Sequence, residues 1–298
     1  MHATGSATSS ARGFAPAVPR APRAAPAPPP PARRAAAAAR PRAAAGEGDA
    51  QVGRFFEAGG EAAAREELFS AISPVYDELN DVLSLGLHRV WKRMAVRWSG
   101  AAPGCAALDV CCGSGDLALA LAEAAGPRGR VEALDFSAAM LADAARREAR
   151  ARSGGAAPRL APVAWTHGDA LALPYSDCAF DAATVGYGLR NVADIPRALA
   201  ELRRVLRPGG RVAVLDFNNA ADNLLADAAQ AFFLERLAVP AAEARGVGDE
   251  YRYLRPSIQR FPTGREQERL ARAAGFAEAT HYPIAFGLMG VLVARRAV

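Results

Sequence analysis

The sequence predicts an α/β domain built on a doubly wound, mostly parallel sheet, with a C-terminal antiparallel hairpin and an N-terminal helical cap. Three observations carry this. From about residue 106 onward, short apolar runs bounded by Gly, Pro and Asp alternate with longer amphipathic stretches, the pattern of strand-helix-strand units. Two further apolar runs near the C-terminus lie too close together for a helical crossover and must pair antiparallel. The chain has 298 residues, 51% apolar and 22% charged, enough for one well-buried core of roughly 250 residues plus an appendage.

The appendage is the first element. Residues 1–46 hold nine of the 21 prolines and seven arginines but no acid, a composition that cannot build a core. Basic, hydroxylated near its start and without the apolar stretch of a secretory signal, this segment reads as an organelle transit peptide. Its first Arg is at 12 and prolines recur from 16, which disfavours the basic amphipathic helix of mitochondrial import and favours a plastid. The segment also accounts for the basic balance. With seven of the 36 basic residues removed, 29 face 31 acids, so the body is mildly acidic and gives no reason to expect a nucleic-acid partner. Lys92 is the single lysine. No apolar stretch reaches the roughly 18 residues of a membrane span. The four cysteines, 105, 111, 112 and 178, have no CxxC pair and no metal-ligand spacing, so buried thiols in a reducing compartment are expected and no metal site.

Residues 57–98 form the expected helical cap, with Leu68, Phe69, Ile72, Val75, Tyr76 and Leu79 recurring at helical spacing and Pro74 dividing the stretch. A cofactor-binding half, 99–217, follows. Its expected strands are 106–112, 130–136, 162–166, 180–185 and 211–217, and its expected helices 116–125, 137–151 and 194–206. Residues 218–278 form a substrate-side insertion that includes an apolar helix at 222–240, expected to be buried. Residues 279–298 form the closing hairpin about Phe286–Gly287.

The run from Leu108 to Asp116 ends the first strand and opens a helix. Gly113 and Gly115 let the backbone approach a ligand, and the helix N-terminus favours an anionic group such as a carboxylate. Gly113, Gly115 and Ala118 also satisfy a relaxed dinucleotide fingerprint. The acids argue otherwise. Asp109 precedes the glycines where a pyrophosphate would meet negative charge, whereas the sulfonium and ammonium groups of S-adenosylmethionine are favoured there. Asp135 ends the second strand where a carboxylate accepts ribose hydroxyls, and Asp169, with Ala170, follows the third strand as an acceptor for an adenine amino group. As alternatives, Asp135 caps a helix ahead of Ser137 and Asp169 is a turn residue.

These residues, with Tyr76-Asp77-Glu78-Leu79-Asn80, Ser84, His88 and Trp91, and with Arg204 to Gly210 running into Leu215-Asp216-Phe217-Asn218, resemble the class I S-adenosylmethionine-dependent methyltransferases. More narrowly, they are similar to the ubiquinone and menaquinone biosynthesis C-methyltransferase family. Leu79 stands where that family usually has Met, Arg207 replaces Lys, Asp216 replaces Glu and Asn218 replaces Ser. The resemblance covers residues 64 to 296, and Cys111 to Asp116 and Gly186 to Val192 look most like the plastid branch. It implies S-adenosylmethionine as cofactor, held by Asp109, Gly113, Ser114, Gly115, Asp135, Phe136, Asp169 and Ala170. It also implies C-methylation of a prenylated naphthoquinol in vitamin K1 synthesis, or, as the alternative, of a ubiquinone precursor in mitochondria.

Carbon methylation needs an electron-rich ring and a nearby base or cation. Arg190 and Asn191 follow the fourth strand at the sheet's carboxyl edge and are expected to meet the acceptor, unless Arg190 merely caps the next helix. Tyr76 and His88, on the cap, either face the acceptor or fill the cap's own packing. Tyr253, Ser257 and Phe261 resemble a substrate lid. The apolar helix at 222–240 is also where peripheral contact with a bilayer or lipid droplet is expected, if that face is not buried. A nicotinamide-dependent dehydrogenase and a non-catalytic scaffold on the same fold are the competing classes, disfavoured by Asp109 with the terminal hairpin and by the intact glycines and acids respectively.

Overall fold

The computed structural model describes residue 84 and residues 86–156, 159–246 and 254–298. The segment expected to be a leader, 1–46, most of the expected cap, 57–83, and Tyr253 lie outside the described residues. The strands are β1 (Ala106–Val110), β2 (Arg130–Asp135), β3 (Val163–His167), β4 (Phe180–Gly186), β5 (Leu206–Phe217), β6 (Glu278–Ile284) and β7 (Met289–Arg295). The helices are α1 (Leu87–Trp98), α2 (Asp116–Ala125), α3 (Ala138–Ala151), α4 (Ile195–Val205), α5 (Leu224–Phe233), α6 (Leu254–Arg260) and α7 (Gly264–Ala273). A π-helical turn, Leu234–Ala238, carries α5 onward to Glu243.

The seven strands form one sheet in the order β3-β2-β1-β4-β5-β7-β6. β1 to β5 pair in parallel, and β7 runs antiparallel between β5 and β6. β1 is buried along its whole length because both faces of the sheet are covered. One face packs Leu108 and Val110 with Leu199 and Leu202 of α4 and Ala271 of α7. The other packs Ala107 with Ala95 of α1, Leu117 and Leu121 of α2 and Leu141 of α3.

Helix starts follow local chemistry. Ser137 caps α3 by accepting from Met140 N, and Asp194 caps α4 by accepting from Arg197 N. β5 begins five residues before the expected start, because Leu206 pairs with Phe180 before Arg207–Gly210 bulges out and Ala182 takes up Arg211. The apolar helix corrects an expectation. Leu224, Leu225, Phe232 and Leu237 are 51–84% exposed, and only Ala226, Gln230, Leu234 and Ala238 of that stretch are buried. Apolar character on both sides of a helix does not reveal which side meets the core. The cysteines correct another: Cys112 is buried, whereas Cys105, Cys111 and Cys178 are only partly so.

β1 lies between β2 and β4, so the connections from β1 to β2 and from β3 to β4 depart in opposite directions and leave a crevice at the carboxyl ends of β1 and β4. The turn there depends on Gly115, at φ 88°, where an added Cβ would lie 2.7 Å from Trp165 and 3.0 Å from Ala144. Gly115→Ala is expected to cost about 2 kcal/mol or more, from left-handed strain plus overpacking. Urea denaturation of the two proteins checks this, and unchanged stability would mean that the turn can relax.

Candidate active site

At the crevice lies a cavity of about 430 Å³ lined by the carboxyl ends of β1 to β4 and by Lys92 of α1. Asp109, Gly113, Ser114, Asp135, Phe136, Asp169, Ala170 and Asn191 line it, bringing together eight of the twelve residues singled out from the sequence. Gly115 stands behind the wall, packed on Trp165. Arg190 and His88 do not line it, and Tyr76 lies outside the described residues.

Two residues beside the cavity, Cys111 (φ 56°) and Tyr187 (φ 60°), hold left-handed backbone at the ends of β1 and β4. Such strain persists where the surrounding structure over-determines it. A Cβ at Gly188 would lie 2.3 Å from that of Cys111, so the two loops touch. Burial pushes the Cys111 and Cys112 thiols well above their ordinary range.

Asp135 ties the glycine turn to the start of α3: Gly113 N donates to Oδ2 at 2.8 Å and Ser137 N to Oδ1 at 2.9 Å. The carboxylate retains lone pairs for further donors. Burial raises its pKa, and the backbone donors pull it back. Asp109 accepts from Thr184 Oγ1 at 2.7 Å through Oδ1, while the buried Oδ2 has no hydrogen-bond partner. Burial, with the Asp135 charge adding to it, pushes the Asp109 carboxyl up to about 7 despite the Thr184 bond and Lys92. Asp169 accepts from Leu171 N at 2.9 Å, so it is a turn residue and a cavity residue together. His167 Nε2 lies 2.8 Å from Phe136 O, fixing the wall beside Asp135.

Arg190 departs from expectation. Its guanidinium, 6% exposed, pairs with Asp216 at 2.6 Å, donates to Tyr187 O at 2.6 Å and lies 5.3 Å from the Phe217 ring centroid. Asp216 is drawn from β5, a partner invisible without the tertiary fold. His88 is buried, with Nδ1 2.8 Å from Ser84 Oγ. Ser257 and Phe261, expected in a lid, are buried away from the cavity, Ser257 donating to Leu254 O at 2.7 Å and Phe261 packing in the main core.

Sequence reasoning also passed over Lys92, Asp116 and Tyr187, which line the cavity, and Arg147 behind them. Lys92 reaches Asp116 Oδ2 at 2.5 Å, and Arg147 of α3 binds Asp116 Oδ1 and Ser114 Oγ, the latter at 2.7 Å. Tyr187 tilts against Phe217 at 6.0 Å, with Lys92 Nζ 5.9 Å from its centroid. The signal for Lys92 was its spacing of four from His88, which places both on the buried side of α1. Among the described residues no three His, Cys, Asp or Glu side chains could hold a metal ion, and no helix is long and apolar enough to cross a membrane.

A crevice lined by four acids, of which Asp109 and Asp135 are buried and Asp109 carries an unpartnered oxygen, suits a cationic ligand with hydroxyls. Fold and site together define an S-adenosylmethionine-dependent methyltransferase. The architecture is that of solved methyltransferases. One from Thermotoga maritima, described as a possible histamine N-methyltransferase, covers 77% of this chain and 98% of its own at 20% identity, TM-score 0.51. A putative S-adenosylmethionine-dependent methyltransferase from Methanococcus maripaludis covers 77% and 94% at 18% identity, TM-score 0.52. The sequence pattern of the ubiE/COQ5 methyltransferase family matches residues 59–296, and the chain belongs to that family. It is 54% identical over 228 residues to a 2-phytyl-1,4-naphtoquinone methyltransferase of Nostoc punctiforme, covering 76% of this chain and 96% of the relative. It is 51% identical over 233 residues to the chloroplastic 2-phytyl-1,4-beta-naphthoquinone methyltransferase of Arabidopsis thaliana, covering 78% and 87%.

Two outcomes follow from this geometry. Arg190→Ala leaves Asp216 buried and unpaired, and is expected to cost about 3–5 kcal/mol of stability, with Asp216→Asn in the same chain restoring part of it. A variant of wild-type stability that still lost turnover would return Arg190 to direct contact with the acceptor. For Asp109, the raised pKa means that the folded protein keeps a proton which the unfolded chain has released. The stability this group contributes therefore falls as pH rises from about 4 to about 7, by up to about 1.4 kcal/mol per unit, and is level above that. Ligand-free protein should lose stability across that window relative to Asp109→Asn, and a constant difference between the two would overturn the assignment.

Proposed function

We propose that this chain methylates a ring carbon of a prenylated naphthoquinol, turning demethylphylloquinol into phylloquinol in a plastid. The reading is carried by identity of 51–54%, across most of the chain, to relatives named for a phytylated naphthoquinone. On this reading residues 1–46 are a plastid leader, 57–98 the cap, 99–217 the cofactor half, 218–278 the acceptor side and 279–298 the closing hairpin.

S-adenosylmethionine supplies an electrophilic methyl group on a sulfonium. Asp135, already fixed by two backbone donors, offers its remaining lone pairs to ribose hydroxyls. The unpartnered Asp109 Oδ2 faces the positive charge through the glycine turn of Gly113, Ser114 and Gly115. Phe136, Asp169 and Ala170 close the adenine end. Asn191 faces the acceptor from the turn after β4. His88, buried against Ser84 and off the cavity wall, packs the cap instead, and Tyr76 is assigned to the acceptor by the family resemblance alone. Arg190 is a positioning residue that holds Tyr187 and the ends of β4 and β5. Methyl transfer needs proximity, alignment and exclusion of water, which such a cavity provides. One carbon–carbon bond forms, one carbon–sulfur bond breaks, and the displaced ring proton leaves to water.

The partner is a lipophilic quinol whose tail partitions into lipid. Leu224, Leu225, Phe232 and Leu237, with the fully exposed Phe286, form the surface through which peripheral contact with that lipid is expected.

Ring electron density decides the redox form. The quinol ring, more so once a hydroxyl ionises to the phenolate, is electron-rich, whereas the quinone is not. An anaerobic assay with one demethylated naphthoquinone, with and without dithionite, should give methyl incorporation only in the reduced arm. Equal rates in both arms would defeat the mechanism, and preference for a demethylated benzoquinol would move the substrate to the ubiquinone class.

A further inference from the structure

The cavity is electrically lopsided. Asp109, Asp135 and Asp169 crowd one side, and Lys92 and Asp116 stand at the other. Among the described cavity residues Lys92 is the one permanently cationic side chain, His167 being the other base. Its ammonium is mostly shielded from solvent and bonds Asp116. Asp116 is shared: Arg147 holds its other oxygen, so two cations meet one carboxylate and the cluster keeps an excess positive charge. Burial opposes ionisation of Asp116, yet Lys92 and Arg147 hold its carboxyl below the ordinary range, so it stays charged and the excess stays one. That excess sits where the glycine turn opens α2 and beside the Tyr187 ring, 5.9 Å from Lys92 Nζ. Arg190, the cation expected from the sequence to serve an anionic group, is committed to Asp216 instead.

We propose that Lys92 is an oxyanion-binding residue of the cavity, its ammonium receiving a single carboxylate- or phenolate-type oxygen. Two sources offer that chemistry. One is the carboxylate of the cofactor's amino-acid tail, which rests on the family alone. The other is the ionised hydroxyl of the acceptor, which rests on the quinol reading above.

The test uses the full chain, Lys92→Met and Lys92→Arg, with S-adenosylhomocysteine and its decarboxylated analogue as probes in calorimetry. If the carboxylate is the anion, Lys92→Met weakens S-adenosylhomocysteine by about 10-fold or more, the scale of a lost bond to a charged group. The decarboxylated analogue then binds both proteins alike, and Lys92→Arg recovers much of the loss. If the phenolate is the anion, both probes bind Lys92→Met normally, while turnover of the demethylated naphthoquinol falls about 10-fold or more and Lys92→Arg recovers part of it. Unchanged affinities together with unchanged turnover overturn the proposal. So does equal loss of both probes, which marks damage to the turn. Should Lys92→Met fail to fold, Lys92→Gln takes its place in both assays, and unchanged affinities together with unchanged turnover there overturn the proposal. Wild-type protein inactive on every naphthoquinol overturns the substrate reading but leaves the calorimetric comparison intact.

Discussion

The Asp135 carboxylate is the junction on which the site is assembled. It sits at the end of β2, buried, and its two oxygens take the N–H groups of Gly113 and Ser137. One acid thereby fixes the glycine turn after β1 and the beginning of α3. Arg147, nearly three turns further along α3, then returns to the same glycine turn through Ser114 and Asp116. Lys92 brings α1 to Asp116 from the opposite side. The turn is held by charge from both directions, and it carries backbone strain at Cys111 that a looser surround would release.

That arrangement puts several acids around a space partly withdrawn from water, and the cost is borne by protonation. Asp109 holds its proton up to about 7, and its Oδ2 has no protein partner. A positively charged ligand would relieve both conditions, and binding it there would be linked to stability through the same carboxyl. The acids that make the cavity selective for a cation also destabilise it until a cation arrives.

The ends of β4 and β5 follow a different logic. Asp216 and Arg190 neutralise each other, and this buried pair supports the Tyr187 and Phe217 rings at the ends of β4 and β5. Beyond Phe217, a small core of Leu234, Ala238, Ala242 and Ile258 anchors the continuation of α5 onto α6. The outward side of α5 is left apolar and exposed, as is Phe286 on the β6–β7 turn. Acidic side chains gather at the carboxyl ends of β1 to β3, and exposed apolar surface lies on α5 and the β6–β7 turn.

Much of this was legible in the sequence, because strand and helix periodicity and the glycine turn are local signals. The five parallel strands, the terminal hairpin, and Asp109, Gly113, Asp135 and Asp169 come from spacing along the chain. Spacing cannot say that β7 inserts between β5 and β6, because strand order is set by which faces the helices cover. Nor does it give the direction of a charged side chain. Arg190 stood at the right strand end, but Asp216, 26 residues on, turned it away from the cavity. Lys92, noted in the sequence only as the single lysine, is drawn to the cavity wall by Asp116, 24 residues away. Charge pairing between distant residues is decided by proximity in space, and only the tertiary structure supplies that.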